Sequence, residues 1–214
     1  MCHFRAALLI PFLAISLATK AEESASETKI RDCFKQYRTA LLNTDGAAAA
    51  ETVNAATIAY YENMRDLSLS GDKAAVEKQS LINRMMIFSM RLRMDPKELA
   101  AMNGKRIVGH AVNKGWISQA SVARASLGKI AEQGNTAKAE FAVDGKASGF
   151  FILFSNDGAE WKFDLTSLFA PGELALKNVI EQQGKNENAF LFEILESATG
   201  KKVSEDVWKP LIQK

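Results

Sequence analysis

The spacing of apolar positions along the chain changes twice. From Ile30 onward, Ile30, Phe34, Tyr37 and Leu41 recur at three- and four-residue intervals, the period of one helix face. The polar stretch 22–28 ahead of them predicts a frayed leader, and Asn43-Thr44-Asp45-Gly46 marks the end of this first helix. Beyond the alanines at 47–50, Val53, Tyr60, Met64 and Leu67 continue a second helical face. A break near Asn54 or Thr57 fits the same residues, because Val-Asn-Ala-Ala-Thr-Ile-Ala-Tyr-Tyr also suits a short strand. After Ser70-Gly71-Asp72, Leu81, Met85, Phe88 and Leu92 define a third helix, with Ile82, Met86 and Met90 widening its apolar side. Arg84 and Arg91 fall opposite that side and predict a solvated basic face. Asp95-Pro96-Lys97-Glu98 is a helix start, with an acidic cap, proline in the first turn and glutamate after it. In the next helix, 105–114, Ile107, Val108, Ala111 and Val112 share one side and Arg106, His110, Asn113 and Lys114 the other. His110 is thereby predicted to be a surface histidine without a carboxylate near it in sequence.

Between 121 and 165 the period falls to two. Segments 122–130, 136–143, 146–154 and 160–165 read as four consecutive strands. Gln133-Gly134-Asn135, Asp144-Gly145 and Asn156-Asp157-Gly158 supply the residues that tight hairpins favour. A two-residue turn at Asp144-Gly145 sets Val143 opposite Lys146, Phe141 opposite Ser148 and Ala139 opposite Phe150. One face then carries Ala137, Ala139, Phe141, Val143, Phe150, Ile152 and Phe154. The other carries Lys138, Glu140, Phe151 and Leu153. Trp161, Phe163 and Leu165 alternate with Lys162 and Asp164 in the last strand. After Pro171-Gly172 the helical period returns through Leu176, Val179 and Ile180, then through Phe190, Leu191, Ile194, Leu195 and Ala198. Ser204 caps a last short helix that Pro210 limits. The pattern predicts an α+β fold. N-terminal helices pack on a curved four-stranded antiparallel meander, and C-terminal helices follow it.

Composition narrows this picture. With 214 residues, 47% hydrophobic and 24% charged, the chain can bury one sizeable core. The first 21 residues read apart from it. Arg5 precedes the apolar run 6–17, and small residues around Ala18 and Ala21 offer two cleavage points, the pattern of a secretory signal peptide. An uncleaved anchor is the alternative, although the run falls short of the roughly 20 residues of a membrane span. The expectation is export to a periplasm or the outside, with no membrane span after cleavage. Removing Arg5 and Lys20 takes the net charge from +2 to 0 if the cut follows Ala21. A neutral mature chain gives no electrostatic case for nucleic acid. Cys2 would leave with the signal, so Cys33 has no internal disulfide partner and reads as a buried structural thiol.

The order of elements at 29–62 and 121–165 resembles the nuclear transport factor 2-like superfamily, whose α+β cones wrap a curved sheet around N-terminal helices. On this reading 22–170 is a cone-like domain with a helical insert at about 62–115, and 171–214 is a helical C-terminal extension. Both additions depart from the family pattern. The family contains isomerases, cyclases, hydrolases and non-catalytic binding or dimerisation modules, and fold alone does not choose among them. No catalytic residue carries over by position. The apolar cone implies a non-catalytic binding or scaffolding module, with Phe141, Phe150, Ile152, Phe154, Trp161 and Phe163 as pocket-lining candidates for a small apolar ligand. The alternative is an isomerase- or hydrolase-type enzyme with a carboxylate inside the cone. Glu140 or Asp164 would serve only if the strand faces were exchanged. A third use is as an interaction protein, with a homodimer or partner docking through Phe151, Leu153 or the C-terminal helices. No cofactor is expected, since phosphate and dinucleotide loops are missing, and one histidine and one cysteine after cleavage make a His/Cys metal site implausible.

Overall fold

The structure is a computed structural model that describes residues 24–212 apart from positions 118 and 159. The signal-peptide reading and Cys2 lie outside the described residues. Helix α1 (Ala25–Leu42) begins within the expected leader, because the Ser24 side chain accepts from the Glu27 amide. Ser-x-x-Glu is a capping-box sequence, strong enough to start a helix on polar residues. Its inward face is Ile30, Cys33, Phe34, Tyr37, Ala40 and Leu41, as the periodicity predicts.

Helices α2 (Gly46–Glu51) and α3 (Ala55–Ser70) are separated at residues 52–54, where Asn54 caps α3. The separation has a tertiary cause. Val53 forms a parallel bridge to Phe163, with hydrogen bonds from the Asn54 amide to the Phe163 carbonyl (3.0 Å) and from the Phe163 amide to the Thr52 carbonyl (2.8 Å). A two-bond strand fragment thus covers what would be an open sheet edge.

Next come α4 (Lys73–Glu77), α5 (Leu81–Arg93), α6 (Pro96–Ala100), α7 (Gly104–Asn113) and α8 (Ala120–Ala123). Asp95 caps α6 through the Lys97 and Glu98 amides, with Pro96 in the first turn as expected. The sheet is an antiparallel meander in the order β1-β2-β3-β4, built from β1 (Ala125–Gln133), β2 (Thr136–Val143), β3 (Lys146–Asn156) and β4 (Trp161–Asp164). Val122 belongs to the short helix before β1, not to the strand itself. Asp144 and Gly145 both have positive φ (50° and 71°), the backbone of a primed hairpin turn.

Two bulges change the expected faces. Val143 pairs with Lys146 and Ala142 with Ala147, but Glu140 then pairs with Phe151 and Ala139 with Ile152. Gly149, at φ 80°, absorbs the extra residues. The Ser148 hydroxyl donates to the Phe141 carbonyl (2.6 Å) and accepts from the Phe150 amide (3.2 Å), satisfying the interrupted ladder. Ala137, Ala139, Ile152 and Phe154 point inward as read from sequence, while Ala142 is buried and Val143 and Phe150 are exposed. A second shift, between Leu127 and Ile130, leaves carbonyls to which Arg31 of α1 donates (Leu127, 2.8 Å; Gly128, 3.0 Å).

A 3₁₀ turn (Leu165–Leu168) leads from β4 into α9 (Phe169–Gln182), followed by α10 (Glu187–Thr199) and a 3₁₀ turn (Glu205–Trp208) capped by Ser204. Pro171-Gly172 does not precede the helix but sits in its first turn, where proline removes no helical bond. These C-terminal elements pack on α5, so one continuous buried cluster runs from Ile30 to Trp208. Phe88 of α5 meets the Trp208 ring edge-on at 4.7 Å.

That packing overturns the solvated basic face. Arg84 and Arg91 are both 8% exposed. Arg84 pairs with Glu187 and Asn188 of α10. Arg91 donates to the carbonyls of Ser68 (3.1 Å), Leu67 (2.8 Å), Gly71 and Val207 (3.0 Å), closing the end of α3 onto the C-terminal turn. No helix among the described residues is long and apolar enough to cross a membrane.

Candidate functional site

The cone residues do not form one lining. Ile152, Phe154 and Phe163 are fully buried, and Phe163 meets the rings of Phe34, Tyr37 and Phe154 at 6.1, 5.0 and 5.5 Å. Phe141 is half-buried, edge-on to Phe34 at 6.4 Å. Trp161 is buried beside a polar surface cleft that also holds Lys29, Asp32, Cys33 and Glu160. Phe150 faces outward, 43% exposed, because the bulge at Gly149 turns it away from Ile152. Rings from α1 and the sheet interlock where the ligand space was expected.

The ionisable candidates are equally placed by local geometry. Asp164 Oδ1 accepts from the Thr166 amide (3.0 Å) and hydroxyl (2.6 Å), capping the 3₁₀ turn. Glu140 lies on the outer sheet face, cross-strand from the exposed Phe151, with its carboxylate against Gly128. Among the described residues no aspartate or glutamate is fully buried, and no three His, Cys, Asp or Glu side chains gather as a metal site would require. Cys33 is buried with Sγ 3.6 Å from the Thr52 carbonyl, and burial pushes its thiol up to about 11. At neutral pH it is a thiol, not a thiolate nucleophile. His110 departs from the surface reading. Its side chain is 13% exposed, Nδ1 lies 3.6 Å from a Glu98 carboxylate oxygen, and its ring meets Trp116 edge-on at 5.3 Å. Glu98 comes from α6, which the wheel of a single helix could not place.

The better-formed cavity lies among the helices. A space of about 220 Å³ separates α5 from α10, the end of α7 and the segment around Trp116. Tyr61, Met90, Ile107, Ala111 and Leu195 are its buried floor; Met85, Met86, Ser89, Trp116, Ile117 and Ile194 are half-buried walls. Methionines pack on apolar surfaces of varied shape because the side chain is unbranched and its sulfur polarisable. Burial raises the Tyr61 hydroxyl above the usual phenol range, so Tyr61 and Ser89 offer neutral hydroxyls only.

One charge faces this space. Arg93, in the last turn of α5, holds its guanidinium 5.1 Å from the centre of the Trp116 ring. Its Nε is buried without a hydrogen-bond partner among the described residues, and its Nη2 lies 3.5 Å from the Ala198 carbonyl, the outer limit of a bond. Desolvation pulls its pKa down, and no carboxylate among the described residues offsets that effect. Sequence reading placed Met85, Met86 and Met90 on a widened core face and passed over Arg93. The available signal was Met86, Met90 and Arg93 at i, i+4 and i+7, a cation sharing the face of the methionines.

No family model, no curated protein and no solved structure matches the chain. Fold and cavity define an α+β protein with a helix-built, methionine-lined cavity that carries one cation among the described residues.

Proposed function

We propose that the protein is an exported, non-catalytic binding module that holds a small apolar-bodied ligand between α5, α7 and α10. The observation that carries this reading is the cavity itself. A few polar groups set in apolar walls are the general make-up of small-molecule sites. An apolar cavity of about 150 Å³ is already enough for a benzene-sized guest. The ring-packed cone and the outward or capping positions of Glu140 and Asp164 support binding over chemistry. The order of α1, the meander and the helices around it supports kinship with nuclear transport factor 2-like folds, with the ligand space moved into the added helices. Export rests on the apolar run 6–17 and its flanks.

The test is a titration of protein carrying ¹³C-labelled methionine methyls with 1-octanol, indole and octanoate. Saturable shifts at Met85, Met86 and Met90 with at least one of these probes are the expected result. Silence from all three up to their solubility limits, or shifts confined to rings of the sheet core, overturns the reading.

A further inference from the structure

We propose that the ligand of the helical cavity is a monocarboxylate of about eight to ten non-hydrogen atoms in all, its head held by Arg93. This rests on the binding reading above and adds the head-group chemistry to it. The apolar walls select no charge, so the sign of the ligand is set by the one ionised lining residue among the described residues, Arg93. A guanidinium presents a planar fork of donors that matches a carboxylate in two parallel bonds. In this structure the fork is poorly used. Among the described residues Nε is buried and unpartnered, Nη2 has only the distant Ala198 carbonyl, and no acidic side chain pairs with the group. The contrast with the two neighbouring arginines of α5 is informative. Arg84 spends its charge on Glu187, and Arg91 spends its donors on four carbonyls. Arg84 also leaves its Nε unpartnered, but of the three only Arg93 has neither a carboxylate partner nor a set of close carbonyls among the described residues.

Trp116 fixes the direction of the fork. Its ring faces the guanidinium on one side and His110 lies edge-on to it at 5.3 Å, so the plane of Arg93 is held against the cavity wall. A carboxylate entering there would replace a lost hydrogen bond and neutralise a partly desolvated cation, while its chain displaced nothing bonded from the methionine walls. An alcohol of the same length would gain the apolar contact and a single hydrogen bond from the guanidinium, without neutralising its charge. A dianionic head would bring a second charge for which the lining has no cation.

Isothermal titration of octanoate and 1-octanol into the protein, at pH 7.5 and low salt, reads the head-group preference directly. Octanoate is expected to bind at least tenfold more tightly than 1-octanol, and Arg93→Met is expected to reduce that ratio to about twofold by weakening octanoate far more than 1-octanol. Equal or tighter binding of 1-octanol to the unaltered protein overturns the carboxylate assignment and leaves the cavity reading standing. Absence of binding by both also overturns the carboxylate assignment, and the cavity reading then stands or falls on the methionine shifts with indole. The comparison in the unaltered protein decides the matter even if the variant folds poorly. Where the variant melts normally but keeps the tenfold preference, Arg93 is not the head-group partner and the proposal falls.

Discussion

Cys33, Gly104 and Arg91 show how much single side chains depend on elements far from them in sequence. The Cys33 thiol is raised from about 9 to about 11, so between those values the unfolded chain releases a proton that the native protein keeps. Native stability from this group is therefore complete below about pH 9 and lost as pH rises through the window. The two-unit shift corresponds to about 2–3 kcal/mol at the upper end. Urea unfolding at pH 8 and pH 10.5 is expected to show a smaller loss of stability in Cys33→Ala than in the unaltered protein. Equal losses would mean that the thiol does not report burial. Tyr37 and Tyr61, also raised by burial, contribute to both proteins with the same sign and cancel in the difference. Gly104 begins α7 so close to α3 that a Cβ would stand 2.0 Å from the Ile58 carbonyl oxygen. Gly104→Ala should cost about 1–3 kcal/mol by overpacking, read as a lower urea midpoint with unchanged m. Cys33 was legible in the sequence because its neighbours are apolar. Arg91 was not: the carbonyls that surround it belong to α3 and to the C-terminal turn, and a helical wheel contains neither.

At the scale of elements, the strands and turns were legible because hairpin chemistry is local. Asp144-Gly145 announces a primed turn wherever it occurs between alternating runs. The bulge at Gly149 interrupts that logic. Gly149 sits in the left-handed region at φ 80°, which a side chain adopts at a cost of about 1–2 kcal/mol. A lone glycine inside a strand is a known sign of such a bulge, but Ser148-Gly149 does not break the polar and apolar alternation on either side. The result is a correct sheet with Phe150 assigned to the wrong face. Gly149→Val should destabilise by roughly that amount, and it should shift the amide resonances of Phe141 and Ala142 on the partner strand as well as those beside the mutation. Shifts restricted to residue 149 and its immediate neighbours would show that the bulge is held by Ser148 and not by glycine. The start of α1 has the same lesson in reverse. Ser24 and Glu27 carry a capping-box signal, and polarity alone hid it within a stretch read as leader.

At the scale of the whole molecule, the C-terminal helices are not an appendage. α10 supplies Ile194, Leu195 and Ala198 to the cavity wall, and Trp208 covers Phe88 of α5, which is 0% exposed. The Leu211 and Ile212 amides bond back to the Ser68 (3.2 Å) and Leu69 (2.9 Å) carbonyls, close to the carbonyls that Arg91 gathers. The order of elements told that helices follow the sheet, but their docking depends on contacts between segments about a hundred residues apart, as in Arg84 to Asn188, 104 positions apart. Because the buried cluster is continuous from Ile30 to Trp208, loss of the C-terminal anchor should be felt in the sheet. Trp208→Ala is expected to remove about 3–5 kcal/mol, a large fraction of the 5–15 kcal/mol typical of a domain. Helix content by circular dichroism and, in a Trp116→Phe background, the fluorescence of Trp161 in β4 should then report one shared transition at a lower urea concentration. If Trp161 instead keeps its original midpoint while helix signal is lost early, the C-terminal helices unfold by themselves. The cavity wall they supply would then open without the sheet, and a ligand bound there would stabilise the helices alone.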